Sequence, residues 1–135
     1  MNTRKRLVTF ALTGTLLAAG VVSGTTVTAV AAEQGARSCY GNAWSYSKPS
    51  GTYFQPASAL YFATDNCADI NIKTDTSRQV KVCFYASGGG LNYCQSSYKT
   101  TTAGEWKVIA TDVIDGTKFK FQFASSAASS GMRAH

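Results

Sequence analysis

Short segments in which apolar and polar residues alternate dominate the chain from residue 51 onwards. Alternation with period two is typical of β-strands that bury one side, and no stretch after residue 31 keeps the period of a helix. The predicted strands are 51–54, 59–62, 69–73, 79–86, 91–95, 105–111 and 117–124. Strands of this length, separated by turn residues, predict an all-β fold, either an antiparallel β-sandwich or a small barrel of about seven or eight short strands.

The glycines between the fourth and fifth predicted strands indicate a β-hairpin. A two-residue turn at Gly88–Gly89, with positive φ at both positions, places Cys83 directly opposite Cys94. The same register puts Ala86 opposite Leu91, so that apolar residues share one side of the hairpin. Residues that face each other in this way lie close enough for a disulfide to join them. We therefore expect a disulfide across this hairpin.

The chain contains four cysteines, and an even number in a small exported protein indicates two disulfides. Because the hairpin pairs Cys83 with Cys94, the second bridge is predicted between Cys39 and Cys67. In the chain-entropy model these bridges contribute about 3 and about 3.5 kcal/mol, respectively, to the free energy of unfolding. This structural role accounts for all four cysteines.

The last two predicted strands allow two different connections. Asp115–Gly116 lies between them and predicts a type I′ turn, which would join the strands in a second hairpin. That register sets Asp112 against Phe119, which is an unfavourable pair. In the other interpretation, segment 113–119 crosses from one sheet to the other.

Segment 113–119 resembles the corner segment of fibronectin type III modules. In those modules a hydrophobic residue is followed by Pro-Gly-Thr-x-Tyr, and here Asp115 stands in place of the Pro and Phe119 in place of the Tyr. The resemblance covers seven residues, and it implies a two-sheet architecture.

The first 31 residues have the features of a secretory signal peptide. A basic segment at 4–6 precedes an apolar run over 7–22, and small residues at 29 and 31 provide a signal peptidase site. We predict cleavage after Ala31 and therefore a secreted, extracellular protein. The mature chain is predicted to be a single small disulfide-braced β domain over 32–135, with a small and polar tail at about 125–135 that frays.

Charge does not favour a nucleic-acid partner once the signal peptide is removed. The whole chain has 13 Lys and Arg against 7 Asp and Glu, and three of the basic residues lie in segment 4–6. The mature chain therefore has 10 minus 7, or +3, and its lysines at 81, 107, 118 and 120 are spaced singly. We interpret them as a solvated surface and expect a monomer that has neither a nucleic-acid nor a membrane partner.

Few residues are available for catalysis or metal binding. The single histidine is His135 and the acidic residues are scattered, so neither a nucleophilic triad nor a zinc site is indicated. We expect a protein that is not an enzyme and that needs no cofactor and no metal. Four oxygen-bearing side chains, Asp65, Asn66, Asp69 and Asn71, leave open a calcium site at a sheet edge.

Aromatic residues are the unusual feature of the composition. The chain has seven Tyr, seven Phe and two Trp, and exposed Tyr or Trp on a rigid sheet can stack on sugar rings or anchor a protein. The candidate binding residues are Tyr40, Trp44, Tyr46, Tyr53 and Tyr85. We expect a non-enzymatic extracellular protein that binds a polysaccharide or cell-envelope polymer, or else a secreted or surface protein.

Two alternatives stay open. The first is a secreted inhibitor of a protease or glycosidase, in which the hairpin tip at 87–91 serves as a preorganised insertion loop. Small exported β proteins with two disulfides are a common inhibitor format, and this chain resembles them in format. The second alternative is a surface, coat or toxin-like protein.

Overall fold

The computed structural model describes residues 38–135. The predicted signal peptide over 1–31, its cleavage site and residues 32–37 lie outside the described residues. The described chain forms one short helix, 38–41, and ten strands, and it has no helix long and apolar enough to span a membrane. The strands are β1 Trp44–Lys48, β2 Phe54–Gln55, β3 Tyr61–Phe62, β4 Ile70–Thr74, β5 Gln79–Tyr85, β6 Leu91–Cys94, β7 Lys99–Thr100, β8 Trp106–Ala110, β9 Lys118–Phe123 and β10 Ser129–Ala134.

The strands form two antiparallel sheets. Sheet A has the order β1-β10-β4-β8, and sheet B has the order β2-β9-β5-β6, with β3 added to β9 and β7 added to β5. Three of the ten strands, β1, β7 and β10, were not among the segments predicted from alternation. They are short or rich in serine, so the period-two signal is weak in them.

One apolar core lies between the sheets. Sheet B contributes Phe119, Phe121 and Phe123 of β9, and sheet A contributes Ile70 and Ile72 of β4, all of which are fully buried. Burial of each such side chain stabilises the fold by about 1.5–3 kcal/mol. Since both sheets supply this core, the architecture is an antiparallel β-sandwich, and the predicted all-β class is confirmed.

Both predicted disulfides are confirmed. Cys83 pairs directly with Cys94 in the register of β5 and β6, and the two residues form one bridge. Cys39 forms the second bridge with Cys67 and joins the short helix to the segment that precedes β4.

The end of the β5–β6 hairpin differs from the predicted two-residue turn. The register shifts by one residue near the tip, so Tyr85 rather than Ala86 lies opposite Leu91. The backbone N–H of Gly89 donates to the carbonyl of Ala86, and Gly89 has a φ of 90°. A single glycine in the left-handed region, following a tight turn, is typical of hairpins with a bulge beside the turn.

The predicted hairpin between β8 and β9 is wrong, and the alternative crossover between sheets is right. β8 pairs with β4 in sheet A, whereas β9 pairs with β5 in sheet B. A type I′ turn needs positive φ at both central residues, but of Asp115 and Gly116 only Gly116 has it, at 82°. Asp112, which fitted the hairpin poorly, takes a φ of 53° in the connection.

The prediction that residues 125–135 fray also needs correction. Ser129–Ala134 forms β10, which pairs with β1 on one side and with β4 on the other. The backbone hydrogen bonds of two neighbouring strands hold this segment, although its side chains are mostly small. Gly131 allows a close approach, since a Cβ at this position would overlap the carbonyl oxygen of Lys73, and its φ is 151°.

We predict that Gly131→Ala destabilises the protein by about 3 kcal/mol or more, because the methyl group meets backbone that cannot move independently of the sheet. The matched control is Gly88→Ala, where a Cβ meets nothing within 4 Å. It should change the free energy of unfolding by no more than about 0.5 kcal/mol. Urea denaturation of both variants measures this, and equal midpoints would contradict the central position of β10.

Candidate functional site

Tyr40 lies against the outer side of sheet A. Its ring stacks on that of Trp106 with centroids 4.5 Å apart, and its hydroxyl donates to Oδ1 of Asn71 at 3.4 Å. The Cys39–Cys67 bridge and Ala134 belong to the same small buried cluster. Tyr40 therefore helps to fasten the short helix to sheet A.

Tyr46 is a core residue rather than a ligand contact, which corrects its place among the candidate binding residues. Its side chain is 5% exposed, and its hydroxyl shares a hydrogen bond of 2.9 Å with Oγ of Ser129. Burial raises the pKa of Tyr46 to about 12. The phenol is therefore neutral and enclosed at physiological pH.

Trp44 belongs to a cluster of stacked side chains at one end of the sandwich. The guanidinium of Arg133 lies 5.1 Å from the Trp44 ring and 3.9 Å from the Tyr61 ring. His135 stacks on the same two rings and accepts a hydrogen bond from Arg133. These contacts engage Trp44 within the fold, although 39% of its side chain remains exposed.

Tyr53 and Tyr85 lie elsewhere. Tyr53 directly precedes β2 and is 50% exposed, whereas Tyr85 ends β5 and is partly buried. The five candidate residues are thus spread over several parts of the surface and core, and the structure does not assemble them into one site. Tyr85 is the candidate that belongs to a larger surface feature.

That feature is the outer side of sheet B, where β5 and β9 pair along six residues. The register sets Lys118 opposite Tyr85, Lys120 opposite Cys83 and Lys81 opposite Gln122. The alternating residues of both strands are core residues, so these side chains all point away from the core. Lys81 of β5 therefore shares one sheet surface with Lys118 and Lys120 of β9, although the two strands are distant in sequence.

Each of these lysines lies beside aromatic rings. The neighbouring β2 and β3, together with the loop before β7, supply three of the rings, and Tyr85 supplies the fourth. The distances from ammonium nitrogen to ring centroid are 4.6 Å for Lys81 with Tyr98, 5.7 Å for Lys118 with Phe62, 6.0 Å for Lys120 with Phe54 and 5.8 Å for Lys120 with Tyr85. We term these three lysines and four aromatic residues the cationic–aromatic face.

Two of the three lysines are oriented by backbone carbonyls. Nζ of Lys118 donates to the carbonyl of Ser87, and Nζ of Lys120 donates to that of Ala57 at 3.0 Å. An ammonium group has three donors, so each retains two for a ligand. Because a carbonyl carries no net charge, the positive charge of the face is positioned without being neutralised.

A cleft of about 290 Å³ adjoins this face between the β5–β6 hairpin and the β8–β9 connection. Tyr85 lines it together with Tyr93, which is 55% exposed, and polar side chains are provided by Asn92 and Asp112. The cleft thus combines aromatic rings with several polar groups. Tyr85 thus belongs to both the cleft and the cationic–aromatic face.

Two of the four side chains considered for calcium, those of Asp69 and Asn71, use an oxygen atom within the fold. Oδ1 of Asp69 accepts the backbone N–H of Asp112 at 3.1 Å, and the buried side chain of Asn71 is bonded to Tyr40 and to the carbonyl of Asp69. Within residues 38–135 there is no group of three or more His, Cys, Asp or Glu side chains that could hold a metal ion. Asp69 and Asn71 therefore connect neighbouring segments to sheet A.

The sequence pattern alone indicates separate solvated lysines, whereas the fold brings Lys81, Lys118 and Lys120 onto one surface. Their outward direction was readable from the alternation in β5 and β9, but their common surface depends on a pairing of strands that are distant in sequence. Comparison with known proteins adds no assignment, since no family model, curated protein or solved structure matches the chain. The candidate function therefore depends on the geometry of this surface.

We predict that His135 makes stability depend on pH. Burial and the charge of Arg133 lower its pKa from 6.5 to about 4, so the folded state favours the neutral ring. The stabilisation from the neutral ring is complete above about pH 6.5 and is lost as the pH falls towards 4. The free energy of unfolding should therefore fall by about 2 kcal/mol between about pH 7 and about pH 5. Denaturation at both pH values measures it. The variant His135→Gln should lack most of this dependence, and an unchanged dependence in the variant would contradict the assignment to His135.

Proposed function

We propose that the chain is a secreted, non-enzymatic extracellular protein that binds a polysaccharide or another cell-envelope polymer through the cationic–aromatic face. The observation that carries this proposal is the placement of three lysines and four aromatic side chains on one outer surface of sheet B.

The chemistry of the face suits a sugar polymer. Aromatic rings offer apolar area to the C–H side of a sugar ring, while lysine ammonium groups donate hydrogen bonds to its oxygens. Phe62 is 50% exposed and Tyr98 is 37% exposed, so contact area is available at the borders of the face. The adjoining cleft extends this surface at Tyr85 and is large enough to hold a small ligand group.

The rigidity of the face also favours binding to an extended ligand. Its lysines and Tyr85 lie on β5 and β9, whose other side packs in the core, and the Cys83–Cys94 bridge fastens β6 to β5. A preorganised surface loses little conformational entropy on binding. Two disulfides are typical of proteins in oxidising compartments, which agrees with the proposed extracellular location.

A second candidate function, inhibition of a secreted protease or glycosidase, is favoured by the β5–β6 hairpin tip. Residues 86–92 are all exposed, and Leu91 exposes 61% of its side chain beside the Cys83–Cys94 bridge. A braced tip with an exposed apolar side chain resembles an insertion loop for an enzyme cleft. This candidate requires the tip, whereas polymer binding requires the outer surface of sheet B.

We predict that the disulfide-bonded protein co-sediments saturably with at least one of chitin, cellulose and peptidoglycan, and that soluble oligosaccharides elute it. Tyr85→Ala should weaken this binding about fivefold, since a lost aromatic contact costs about 1 kcal/mol. The matched control is Tyr40→Ala, which removes a tyrosine on the opposite sheet and should leave the affinity unchanged.

The outcomes separate the two candidate functions. Equal losses in the Tyr85 and Tyr40 variants, measured below the unfolding temperature of each, would place the contact elsewhere on the protein. No retention on any polymer would overturn the proposal. Stoichiometric inhibition of a secreted hydrolase that Leu91→Ala abolishes would support the inhibitor function instead.

A further inference from the structure

We infer that the ligand of the cationic–aromatic face is an anionic glycan, whose phosphate or carboxylate groups pair with Lys81, Lys118 and Lys120. This inference rests on the proposed function and specifies the chemical class of the polymer.

The spacing of the lysines suits a repeating anion. Lys118 and Lys120 are alternate residues of β9, so their backbones are about 7 Å apart along the strand. Lys81 continues the series on the neighbouring strand, opposite Gln122. Positive charge therefore extends along the β5–β9 pair, and a polymer could bring several charged groups to it at once.

Acidic side chains are nearly absent from this surface. The outward positions of the paired segments of β5 and β9 hold no carboxylate: they are Lys81, Cys83, Tyr85, Lys118, Lys120 and Gln122. Two acids lie at the borders of the face: Asp115 lines a depression with Tyr85 and Lys118, and Asp112 lines the adjoining cleft. The face thus has an excess of uncompensated positive charge, which complements an anionic partner.

The other sheet provides an internal comparison. Lys73 of β4 lies 5.4 Å from the ring of Trp106, so sheet A also holds a lysine beside an aromatic ring. On β1 and β10, however, the exposed positions of sheet A include serines, as at Ser45, Ser47 and Ser130. A run of lysines across paired strands is thus a feature of the sheet B surface and not of these strands.

A glycan fits the face better than a nucleic acid does. The face has no arginine, which is the side chain that pairs with phosphates in a bidentate manner and stacks on bases. Three lysines also release few counterions compared with a protein that makes many phosphate contacts. The predicted export would bring the protein to envelope polymers. A single-stranded oligonucleotide serves as the probe for the nucleic-acid alternative.

The test measures binding of the full disulfide-bonded protein to charged and neutral polymers at low and high salt. The carboxylate probe is polygalacturonate, and the phosphate probe is cell-wall sacculi before and after hydrofluoric acid removes phosphodiester-linked polymers. Dextran, chitin and cellulose are the neutral probes. We expect affinity for a charged probe to fall about tenfold between about 50 mM and about 200 mM salt, and neutral probes to bind more weakly.

Charge variants show which lysines cause the salt-dependent binding. Each of Lys81→Gln, Lys118→Gln and Lys120→Gln should weaken binding about two- to fivefold, and the triple variant should lose most of the salt dependence. The matched control Lys73→Gln removes the same charge from a lysine–aromatic pair on sheet A and should leave affinity unchanged. Asp115→Asn should strengthen binding about twofold, because it removes a negative charge while Asn-Gly still suits the turn. Thermal unfolding of each variant confirms that it folds.

The results distinguish a carboxylate ligand from a phosphate ligand, and failure of the inference from failure of the proposed function. Binding to polygalacturonate supports a carboxylate ligand, and binding to untreated but not to stripped sacculi supports a phosphate ligand. Equal, salt-independent binding to neutral polymers would overturn the anionic class and leave the proposed function intact. The inference would also be overturned if Lys73→Gln weakened binding as much as the variants of the face do. Tighter binding to the oligonucleotide than to the charged polymers would overturn it too. Failure to bind every polymer would overturn the proposed function itself.

Discussion

The pairing of β5 with β9 is the contact on which the rest of the structure depends. These two strands form the centre of sheet B, and β2, β3, β6 and β7 are added to them. Their inward residues, among them Val82 and Phe121, are fully buried and supply a large part of the core. Because side chains alternate along a strand, the same register that buries these residues places lysines on the other side. Core and candidate binding surface are thus two consequences of one register.

The two sheets differ in what they leave exposed. Sheet A is partly covered on its outside by helix 38–41, where Tyr40 and the Cys39–Cys67 bridge pack against it. No helix covers the β5–β9 pair of sheet B within residues 38–135; its outer lysines are partly exposed, and its outer side carries charge and aromatic area. This asymmetry is why the proposed binding function is assigned to sheet B. The stacked cluster around Arg133 and His135, by contrast, is turned into the fold.

Local patterns were sufficient for contacts between segments that are close in sequence. The glycine turn identified the β5–β6 hairpin and, through its register, the Cys83–Cys94 bridge, from which the other disulfide followed by elimination. Contacts between distant segments were not readable in this way. An Asp-Gly pair occurs in hairpins and in connections between sheets alike, so it does not identify the strand that pairs with β9. That strand is determined by the pairing that buries the phenylalanines of β9. β10 was missed because its order comes from hydrogen bonds to two neighbouring strands and not from apolar side chains.

The most direct test of this account is a measurement of which strand lies beside β9. Interstrand nuclear Overhauser effects in the oxidised protein should connect Val82 with Phe121 and Lys81 with Gln122. These contacts would establish both the core register and the common surface of the lysines. Contacts that connect Val108 with Phe123 instead would show a β8–β9 hairpin, which would separate Lys81 from Lys120 and contradict the account.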